Sequence, residues 1–246
     1  MGTRLREQTE FIPKPMVQVG GRPILWHIMK IYSHYGYDEF ILCLGYRGEV
    51  IREYFLDYEY MFNDFTVKLT GTDKRVLGPA CSEDWTITCV DTGLDTMTGG
   101  RIKRVERLAG ERFLATYGDG LSDVDILRLM EFHKTMGRTA TATVVHPVSR
   151  FGETRMNDSG IICEFSEKAS TDTWVNGGFF VFEKRIFDYL DGDEAVLERT
   201  PLMTLAQEGQ LAGFKHEGAW ECMDTYRDYL HLNQLWNSGK AKWKVW

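Results

Sequence analysis

The residues nearest the amino terminus have the types and spacing that would bind phosphate groups. Gly2-Thr3-Arg4 is followed a short distance later by Lys14-Pro15-Met16. Glycine lets backbone N–H groups approach an anion closely, and a threonine hydroxyl adds another donor. Arg4 and Lys14 would supply positive charge from two points of one folded-back segment. The pattern therefore predicts a cradle that a triphosphate would fit.

Two aspartates are the candidate acidic residues. Asp119 stands in Tyr117-Gly118-Asp119-Gly120 after the apolar run Phe113–Thr116, which places it at the carboxyl end of a strand, where open α/β sheets bind ligands. A carboxylate there could hold Mg²⁺ against phosphate oxygens. Asp224 follows the run Gly213–His216 and precedes an amphipathic stretch. The structural alternatives are a Gly-Asp-Gly turn around Asp119 and a helix N-cap at Asp224.

Further polar groups lie beside apolar runs. Lys168 and Asn176-Gly177 are two of these, although an isolated lysine is usually solvated and Asn-Gly is typical of a hairpin turn. Thr98-Gly99-Gly100-Arg101 could cap a helix whose amino terminus faces an anion. The alternative is a flexible turn that leads into a basic, solvated helix.

The histidines and cysteines form no recognisable catalytic or zinc-binding pattern. None of the six histidines has metal-ligand spacing, and no Ser/His/Asp or Cys/His arrangement is visible, which argues against hydrolysis through a nucleophilic side chain. The five cysteines are widely spread and contain no Cys-x-x-Cys pair. This usage predicts buried, reduced thiols and a cytoplasmic location.

Composition excludes two further classes. The formal net charge of -7 gives no electrostatic support for a nucleic-acid partner. No uninterrupted apolar segment approaches the roughly 18 residues of a membrane span, and the first residues are polar where a secretory signal would be apolar. Small anionic ligands held by local positive charge remain compatible with this composition.

The elements that must position these residues alternate between strands and helices. Short runs rich in branched and aromatic residues predict strands over Glu39–Leu44, Thr66–Leu69, Thr86–Val90, Arg112–Tyr117, Thr139–Val145 and Gly178–Phe182. Amphipathic spacing predicts helices over Pro23–Tyr37 and Ser122–Met136, the second capped by Ser122 or Asp123 and ended by Gly137. The alternation is typical of an α/β fold, and no linker divides residues 1–246 into domains.

Two segments leave this pattern. Thr70–Asp84 is polar and predicts a long excursion over the surface or toward a neighbouring subunit. The tail Leu235–Trp246 holds three of the seven tryptophans, so it should pack against the body or a partner subunit.

Taken together and in order, these pieces resemble the sugar-1-phosphate nucleotidylyltransferases. The runs that carry the resemblance are specific to the cytidylyl branch of that family. They include Gly2-Thr3-Arg4-Leu5, Pro13-Lys14-Pro15-Met16, Gly20–Lys30, Tyr32–Gly36, Leu44-Gly45-Tyr46, Asp91-Thr92-Gly93, Thr96–Arg101, Tyr117–Gly120, Arg150-Phe151-Gly152, Glu167-Lys168, Asn176–Phe180, Pro201–Ala206, Met223-Asp224-Thr225 and Gly239–Trp246.

The resemblance implies a single nucleotidylyltransferase domain over residues 1–246. Its fold would be a Rossmann-like open mixed sheet flanked by helices, as in nucleotide-diphospho-sugar transferases. Because residue 1 lies inside the phosphate loop, we expect the sheet of residues 1–246 to lack its first strand.

The resemblance also assigns roles to the candidate residues. It implies that Gly2, Thr3, Arg4 and Lys14 bind the triphosphate, with Arg4, Lys14 and Asp119 acting in catalysis. The other implied roles are nucleotide contacts by Thr96, Arg101 and Gly118, Mg²⁺ binding by Asp119 with Asp224, and sugar-phosphate binding by Lys168, Asn176 and Gly177.

The implied reaction joins CTP and α-D-glucose 1-phosphate to give CDP-glucose and pyrophosphate. Two alternatives stay open: an enzyme that uses another nucleoside triphosphate or sugar phosphate, and a non-catalytic subunit that binds nucleotide sugars. Family resemblance further suggests a homo-oligomer, specifically a hexamer, whose product feeds deoxysugars of surface polysaccharide such as O-antigen.

Overall fold

The computed structural model describes residues 12–71, 73–78, 83–147, 153–166 and 173–246. The helices are α1 (Ile24–His34), α2 (Gly48–Leu56), α3 (Tyr58–Phe62), α4 (Thr98–Arg104), α5 (Ile126–Met136), α6 (Thr200–Gln207) and α7 (Tyr226–Asn237). The strands are β1 (Gln18–Val19), β2 (Arg22–Pro23), β3 (Glu39–Leu44), β4 (Phe65–Val67), β5 (Lys74–Val76), β6 (Thr86–Asp91), β7 (Arg112–Ala115), β8 (Gly120–Ser122), β9 (Ala140–Val145), β10 (Glu153–Met156), β11 (Ile162–Ser166), β12 (Val175–Glu183), β13 (Leu211–His216) and β14 (Trp220–Cys222). Short 3₁₀ helices cover Lys14–Met16 and Lys184–Tyr189.

A four-stranded mixed sheet in the order β13-β9-β12-β7 forms the centre of the fold. Only β13 and β9 run parallel, and the other neighbours are antiparallel. Successive side chains of β12 point to opposite faces: Phe179 and Val181 join one core cluster, while Phe180 and Phe182 join another. Because both faces are buried, the strand reads as a continuous apolar run rather than an alternating one.

The strands β3 and β6 form a separate parallel pair, in register from Glu39↔Thr86 to Leu44↔Asp91. A third cluster packs beneath them, with Met16, Leu25 and Met29 among its buried members. Among the described strands, no backbone pairing joins this pair to the four-stranded sheet. The predicted α/β class, with mixed strands flanked by helices, is confirmed. The prediction that the sheet lacks its first strand concerns the start of the chain, which lies outside the described ranges.

The start of α5 differs from the prediction. The residue that caps it is Asp125, whose side chain accepts a hydrogen bond from Arg128 N at 3.0 Å. The predicted caps Ser122 and Asp123 are wrong because Ser122 ends strand β8 and both side chains bind the backbone of Ala219. The predicted end at Gly137 is confirmed, with a left-handed φ of 57°.

The tryptophan-rich tail packs against the body, as predicted. The Trp243 side chain is buried in the same cluster as Val17 and Val19 near the other end of the described chain. Trp236 lies edge-on to the buried His27 ring, with 4.7 Å between centroids. Gly20 has a φ of +60° and faces Trp236 so closely that a Cβ atom there would overlap the indole ring. The tail therefore completes the core around the first turn of α1.

The predicted surface excursion includes one strand of an exposed hairpin. Strands β4 and β5 pair antiparallel, and their side chains, together with Leu69 and Leu77, are largely exposed. Within the residues that the structure describes, no helix has the length and apolar character needed to cross a membrane.

Candidate active site

Lys14, Asp119 and Asp224 meet at the candidate site. The Lys14 Nζ atom lies 2.6 Å from Asp119 Oδ2 and 2.7 Å from Asp224 Oδ1, so one ammonium bridges two carboxylates. Burial lowers the pKa of Lys14, but hydrogen bonds and charges from both aspartates outweigh it, and the pKa is raised above its ordinary value. The structure thus brings together three residues that are far apart in sequence.

A short 3₁₀ helix carries Lys14 to this position. It begins after Pro13, has Pro15 in its first turn and buries Met16 in the third core cluster. Pro15 lies against Gly118, where a Cβ atom would be only 2.7 Å from Pro15 Cγ. Gly118 is therefore needed for the close approach of two backbone segments, one that carries Lys14 and one that carries Asp119.

Asp119 and Asp224 are held by one two-stranded ribbon, β8 with β14. Three residue pairs define its antiparallel register, from Ser122↔Trp220 to Gly120↔Cys222. The pairing continues to the site, because Met223 N donates to Asp119 O at 3.0 Å. The ribbon thus places the two aspartates side by side at its end.

The segment after Asp224 fixes its backbone. The N-cap of α7 is Thr225, which forms a reciprocal capping box with Asp228. Asp228 Oδ2 also accepts a hydrogen bond from Asp224 N at 3.1 Å. The alternative that Asp224 itself is the N-cap is therefore wrong, and its carboxylate can face Lys14.

Cys222 is a further site residue, and the sequence reasoning missed it. One ligand atom from each of Asp119, Cys222 and Asp224 lies within 4.8 Å of the others. Burial, followed by the charges of the two aspartates, raises the pKa of the Cys222 thiol to about 12. Its position two residues before Asp224 could have indicated this role, because alternate residues of an extended segment lie on the same face. The hard carboxylate oxygens suit Mg²⁺, whereas a protonated thiol adds little to such a site.

Arg101 and Thr96 organise the loop that joins β6 to α4. The Arg101 guanidinium donates to Leu44 O, Thr92 Oγ1, Gly93 O and Leu94 O at 2.8–3.2 Å. It therefore ties the carboxyl end of β3 to the loop after β6. Thr96 is 7% exposed, and its hydroxyl lies beside Gly93. Both residues shape the loop at the carboxyl ends of two parallel strands, while their contact with nucleotide stays a prediction.

Asn176 belongs to a hydrogen-bonded network that reaches the Asp119 loop. Its side-chain nitrogen donates to Tyr117 Oη at 3.1 Å, and Tyr117 donates to Glu198 Oε1 at 2.5 Å. Thr98 Oγ1 binds the other Glu198 oxygen at 2.7 Å. Burial, then the hydrogen bond to Glu198, raises the pKa of Tyr117. Glu198 was missed from sequence, because no recognisable motif surrounds it.

Gly177 is buried within β12, next to a bulge in the pairing with β9. Its carbonyl accepts a hydrogen bond from Trp220 Nε1 at 2.8 Å, which links β12 to the ribbon. The alternative that Asn176-Gly177 forms a hairpin turn is therefore wrong. The remaining predicted site residues, Gly2, Thr3, Arg4 and Lys168, lie outside the described residues.

A comparison with known families decides the classification. The sequence profile of the nucleotidyl transferase family matches residues 1–238, a range that contains every candidate site residue. The chain belongs to the nucleotidyl transferase family. A nucleotidyl transferase acts on phosphate groups, and Lys14, Asp119 and Asp224 are residue types that bind phosphates and their counter-cations.

Relatives within the nucleotidyl transferases resemble the chain over its whole length. A Bacillus subtilis protein named "Probable glucose-1-phosphate cytidylyltransferase" is 48% identical, with coverage of 100% of this chain and 96% of the relative. The glucose-1-phosphate cytidylyltransferase of Salmonella typhimurium is 47% identical with the same two coverages.

Solved structures of low sequence similarity share the fold. The crystal structure of HddC from Yersinia pseudotuberculosis superposes with a TM-score of 0.68 at 19% identity, with coverage of 96% of this chain and 95% of that one. The nucleotidyl transferase fold of the chain therefore has a structural counterpart over nearly its full length.

Proposed function

We propose that the chain is a cytidylyltransferase that joins CTP and α-D-glucose 1-phosphate to form CDP-glucose and pyrophosphate. The observation that carries the proposal is the meeting of Lys14, Asp119 and Asp224 at one end of the ribbon. The choice of substrates is supported by the names of the two full-length relatives at 47–48% identity. We further propose that residues 1–246 act as a single domain.

The proposed reaction is an in-line displacement at phosphorus. A phosphate oxygen of the sugar attacks the α-phosphorus of CTP, and pyrophosphate leaves. No general base is required, because a phosphate monoester with a second pKa of about 6 is already mostly dianionic at neutral pH. The protein therefore has to orient two highly charged substrates and offset the charge that moves to the leaving group.

Asp119 and Asp224 fit a divalent cation, since each offers hard oxygen ligands and their carboxylates already share one positive charge. We propose that they hold Mg²⁺, which when bound would offset the negative charge of the phosphates. Lys14 would then turn from the carboxylates to phosphate oxygens and, with Arg4, hold the triphosphate. Lys14 in this scheme occupies the cation position between the two carboxylates until the substrate arrives.

The other predicted contacts complete the proposal. Gly2 and Thr3 would bind the triphosphate, and Thr96, Arg101 and Gly118 would contact the nucleotide. Lys168, Asn176 and Gly177 would receive the sugar phosphate. The link from Asn176 through Tyr117 toward Asp119 supports a sugar subsite next to the metal.

The test is Mg²⁺-dependent pyrophosphate release from CTP, UTP, dTTP, ATP and GTP, each with glucose 1-phosphate, using Asp119→Ala as the blank. We expect release with CTP to exceed release with every other nucleotide. Preference for another nucleotide would replace the substrate assignment and keep the enzyme class. Binding of CTP or CDP-glucose without pyrophosphate release would support the non-catalytic subunit instead.

We also propose a homo-oligomer, a hexamer by resemblance, in the cytoplasm, whose product serves surface-polysaccharide synthesis. The exposed apolar side chains of the β4–β5 hairpin support a subunit contact there, because such side chains are usually covered in an assembly. Analytical ultracentrifugation of the full chain tests the assembly, and a monomer at micromolar concentration would contradict it.

A further inference from the structure

We propose that Asp123 and His216 are positioning residues that set the separation of the Asp119 and Asp224 carboxylates. This inference rests on the proposed function, because it assigns a purpose to the spacing of the two carboxylates. Asp123 and His216 meet at the end of the β8–β14 ribbon opposite to the site. Neither residue is among those predicted to contact substrate.

Asp123 and His216 enclose the turn that leads into β14. Asp123 Oδ1 accepts a hydrogen bond from Ala219 N at 2.7 Å and lies 2.9 Å from His216 Nε2. His216 Nε2 also lies 3.1 Å from Ser122 Oγ and 3.3 Å from Ala219 O. Because a carboxylate and a carbonyl can only accept, His216 Nε2 must carry the hydrogen. We call these four residues, Ser122, Asp123, His216 and Ala219, the ribbon anchor.

The ribbon anchor is packed too tightly to shift freely. The His216 side chain is 11% exposed and the Asp123 side chain 26% exposed. A Cβ atom on Gly218 would lie 2.6 Å from His216 Cε1 and also collide with the Asp123 carboxylate. The backbone of the turn at Gly218 therefore lies in close contact with both side chains.

The anchor connects the ribbon to the central sheet. His216 is the last residue of β13, where it pairs with Val145 of β9. Asp123 directly follows β8, whose Leu121 is fully buried. A contact between Asp123 and His216 therefore fixes the ribbon relative to the four-stranded sheet rather than only within itself.

The ribbon is short enough to transmit a displacement. Only three residue pairs separate the anchor from the Met223–Asp119 hydrogen bond beside the carboxylates. If the anchor is lost, β14 can slide or tilt against β8, and Asp224 moves relative to Asp119. Groups that hydrogen-bond metal ligands directly typically change metal affinity by about 10–100-fold when removed, and the ribbon anchor, which acts through three residue pairs, should lie at the lower end of that range.

The experiment compares Asp123→Ala with wild-type protein by electron paramagnetic resonance titration of Mn²⁺, at a temperature where both are folded by circular dichroism. We expect Mn²⁺ affinity to fall by about tenfold or more. The half-saturating Mg²⁺ concentration for turnover should rise in parallel. Asp123→Asn should restore most of the affinity, because its amide oxygen can still accept from Ala219 N and His216 Nε2.

A matched control comes from another histidine–carboxylate contact, in which the histidine is buried and the carboxylate is partly exposed. His133 Nε2 lies 3.0 Å from Glu183 Oε1, where it joins α5 to the end of β12 without touching the ribbon. Glu183→Ala should lower the melting temperature and leave Mn²⁺ affinity unchanged. An equal loss of affinity in Glu183→Ala would show a general effect of destabilisation and overturn the inference.

Two other results would overturn it. One is wild-type Mn²⁺ affinity in folded Asp123→Ala and folded His216→Ala. The other is failure of both variants to fold while Glu183→Ala folds, which would assign the anchor a purely structural role. Absence of turnover in the wild type would instead refute the proposed function, and the Mn²⁺ titration separates that failure from this one.

Discussion

Gly118 and Pro15 are in direct contact, and this contact links the loop that carries Asp119 to the short helix that carries Lys14. An added methyl group at position 118 would push the two segments apart, because a packed interior absorbs little extra volume. We expect Gly118→Ala to lower kcat/KM by about 10- to 100-fold. Steady-state kinetics of pyrophosphate release, with the melting temperature as a check of folding, measures this effect.

Gly120 provides the matched control within the same motif. A Cβ atom at Gly120 would find its nearest neighbour, Trp220 Nε1, at 4.0 Å, which is ordinary van der Waals separation. We therefore expect Gly120→Ala to keep kcat/KM close to the wild-type value. Equal losses in the two variants would show that the motif tolerates no side chain, rather than that the contact with Pro15 matters.

The two aspartates should be essential for turnover and dispensable for folding. Asp119→Ala and Asp224→Ala each remove a carboxylate that the site offers to a cation, and bound cations supply several kcal/mol to phosphoryl transfer. We expect kcat to fall by at least about 100-fold in each variant, with far-ultraviolet circular dichroism unchanged. Asp158→Ala, in the exposed β10–β11 turn, serves as the control. Near-normal activity in either site variant would refute the metal assignment.

Lys14 should oppose metal binding in the free protein and assist turnover. Its ammonium occupies the space between Asp119 and Asp224, so Lys14→Met removes a positive charge that competes with a cation. We expect Mn²⁺ affinity without substrate to rise by about fivefold or more, while kcat falls by at least about 100-fold. A Mn²⁺ titration and initial-rate kinetics on one preparation test both halves.

The control for Lys14→Met is a substitution that keeps the positive charge, and the direction of the change in Mn²⁺ affinity decides the interpretation. Lys14→Arg keeps the positive charge, so its Mn²⁺ affinity should stay near the wild-type value. Weaker Mn²⁺ binding in Lys14→Met would mean that the ammonium organises the carboxylates more than it competes for them. That result would contradict the proposed exchange of Lys14 from carboxylate to phosphate.

His27 should make stability depend on pH. Burial, then the charges of Arg22 and Lys244, lowers the pKa of His27 from 6.5 to about 4, despite its hydrogen bond to Val19 O. Folding therefore favours the neutral His27 ring. The contribution of this ring to the free energy of unfolding is fully present above pH 6.5 and is lost as the pH falls toward 4. We expect the free energy of unfolding to fall by about 3 kcal/mol across that interval from this group alone.

Urea denaturation at several pH values measures this dependence. His27→Gln removes the titrating ring and should flatten the curve between pH 6.5 and 4, whatever its effect on absolute stability. His34→Gln, at an exposed position of the same helix, controls for the substitution itself, because it leaves the buried His27 ring in place. Equal slopes for wild type and His27→Gln would contradict the assignment.

Sequence patterns predicted the elements where local composition decides the structure. Strand β3 has the predicted bounds because the apolar run Glu39–Leu44 has no competing turn signal. Strand β12 extends beyond the predicted Gly178–Phe182. The prediction stopped short because Asn176-Gly177 is typical of a turn, whereas in the structure these two residues lie at a bulge within the strand. Pairing with neighbouring strands overrode the local preference.

Sequence patterns also predicted the central residues of the site, but not the groups around them. Lys14, Asp119 and Asp224 stand in recognisable motifs, and the structure brings them together. Glu198 and His216 make their contacts with residues that lie far away in the chain. Nothing in the local composition of either residue indicates its partner, because such contacts depend on how distant elements pack.

The burial of Trp243 beside Val17 and Val19 has a consequence for how the protein is made. This core cluster draws on both ends of the described chain, so it cannot close until Trp243 has left the ribosome. Contacts between such distant positions slow folding, because a long loop must be closed before any of them forms. During synthesis the apolar face of α1 stays exposed until the tail has been made and can pack against it. We expect the nascent chain to be most prone to aggregation in this interval.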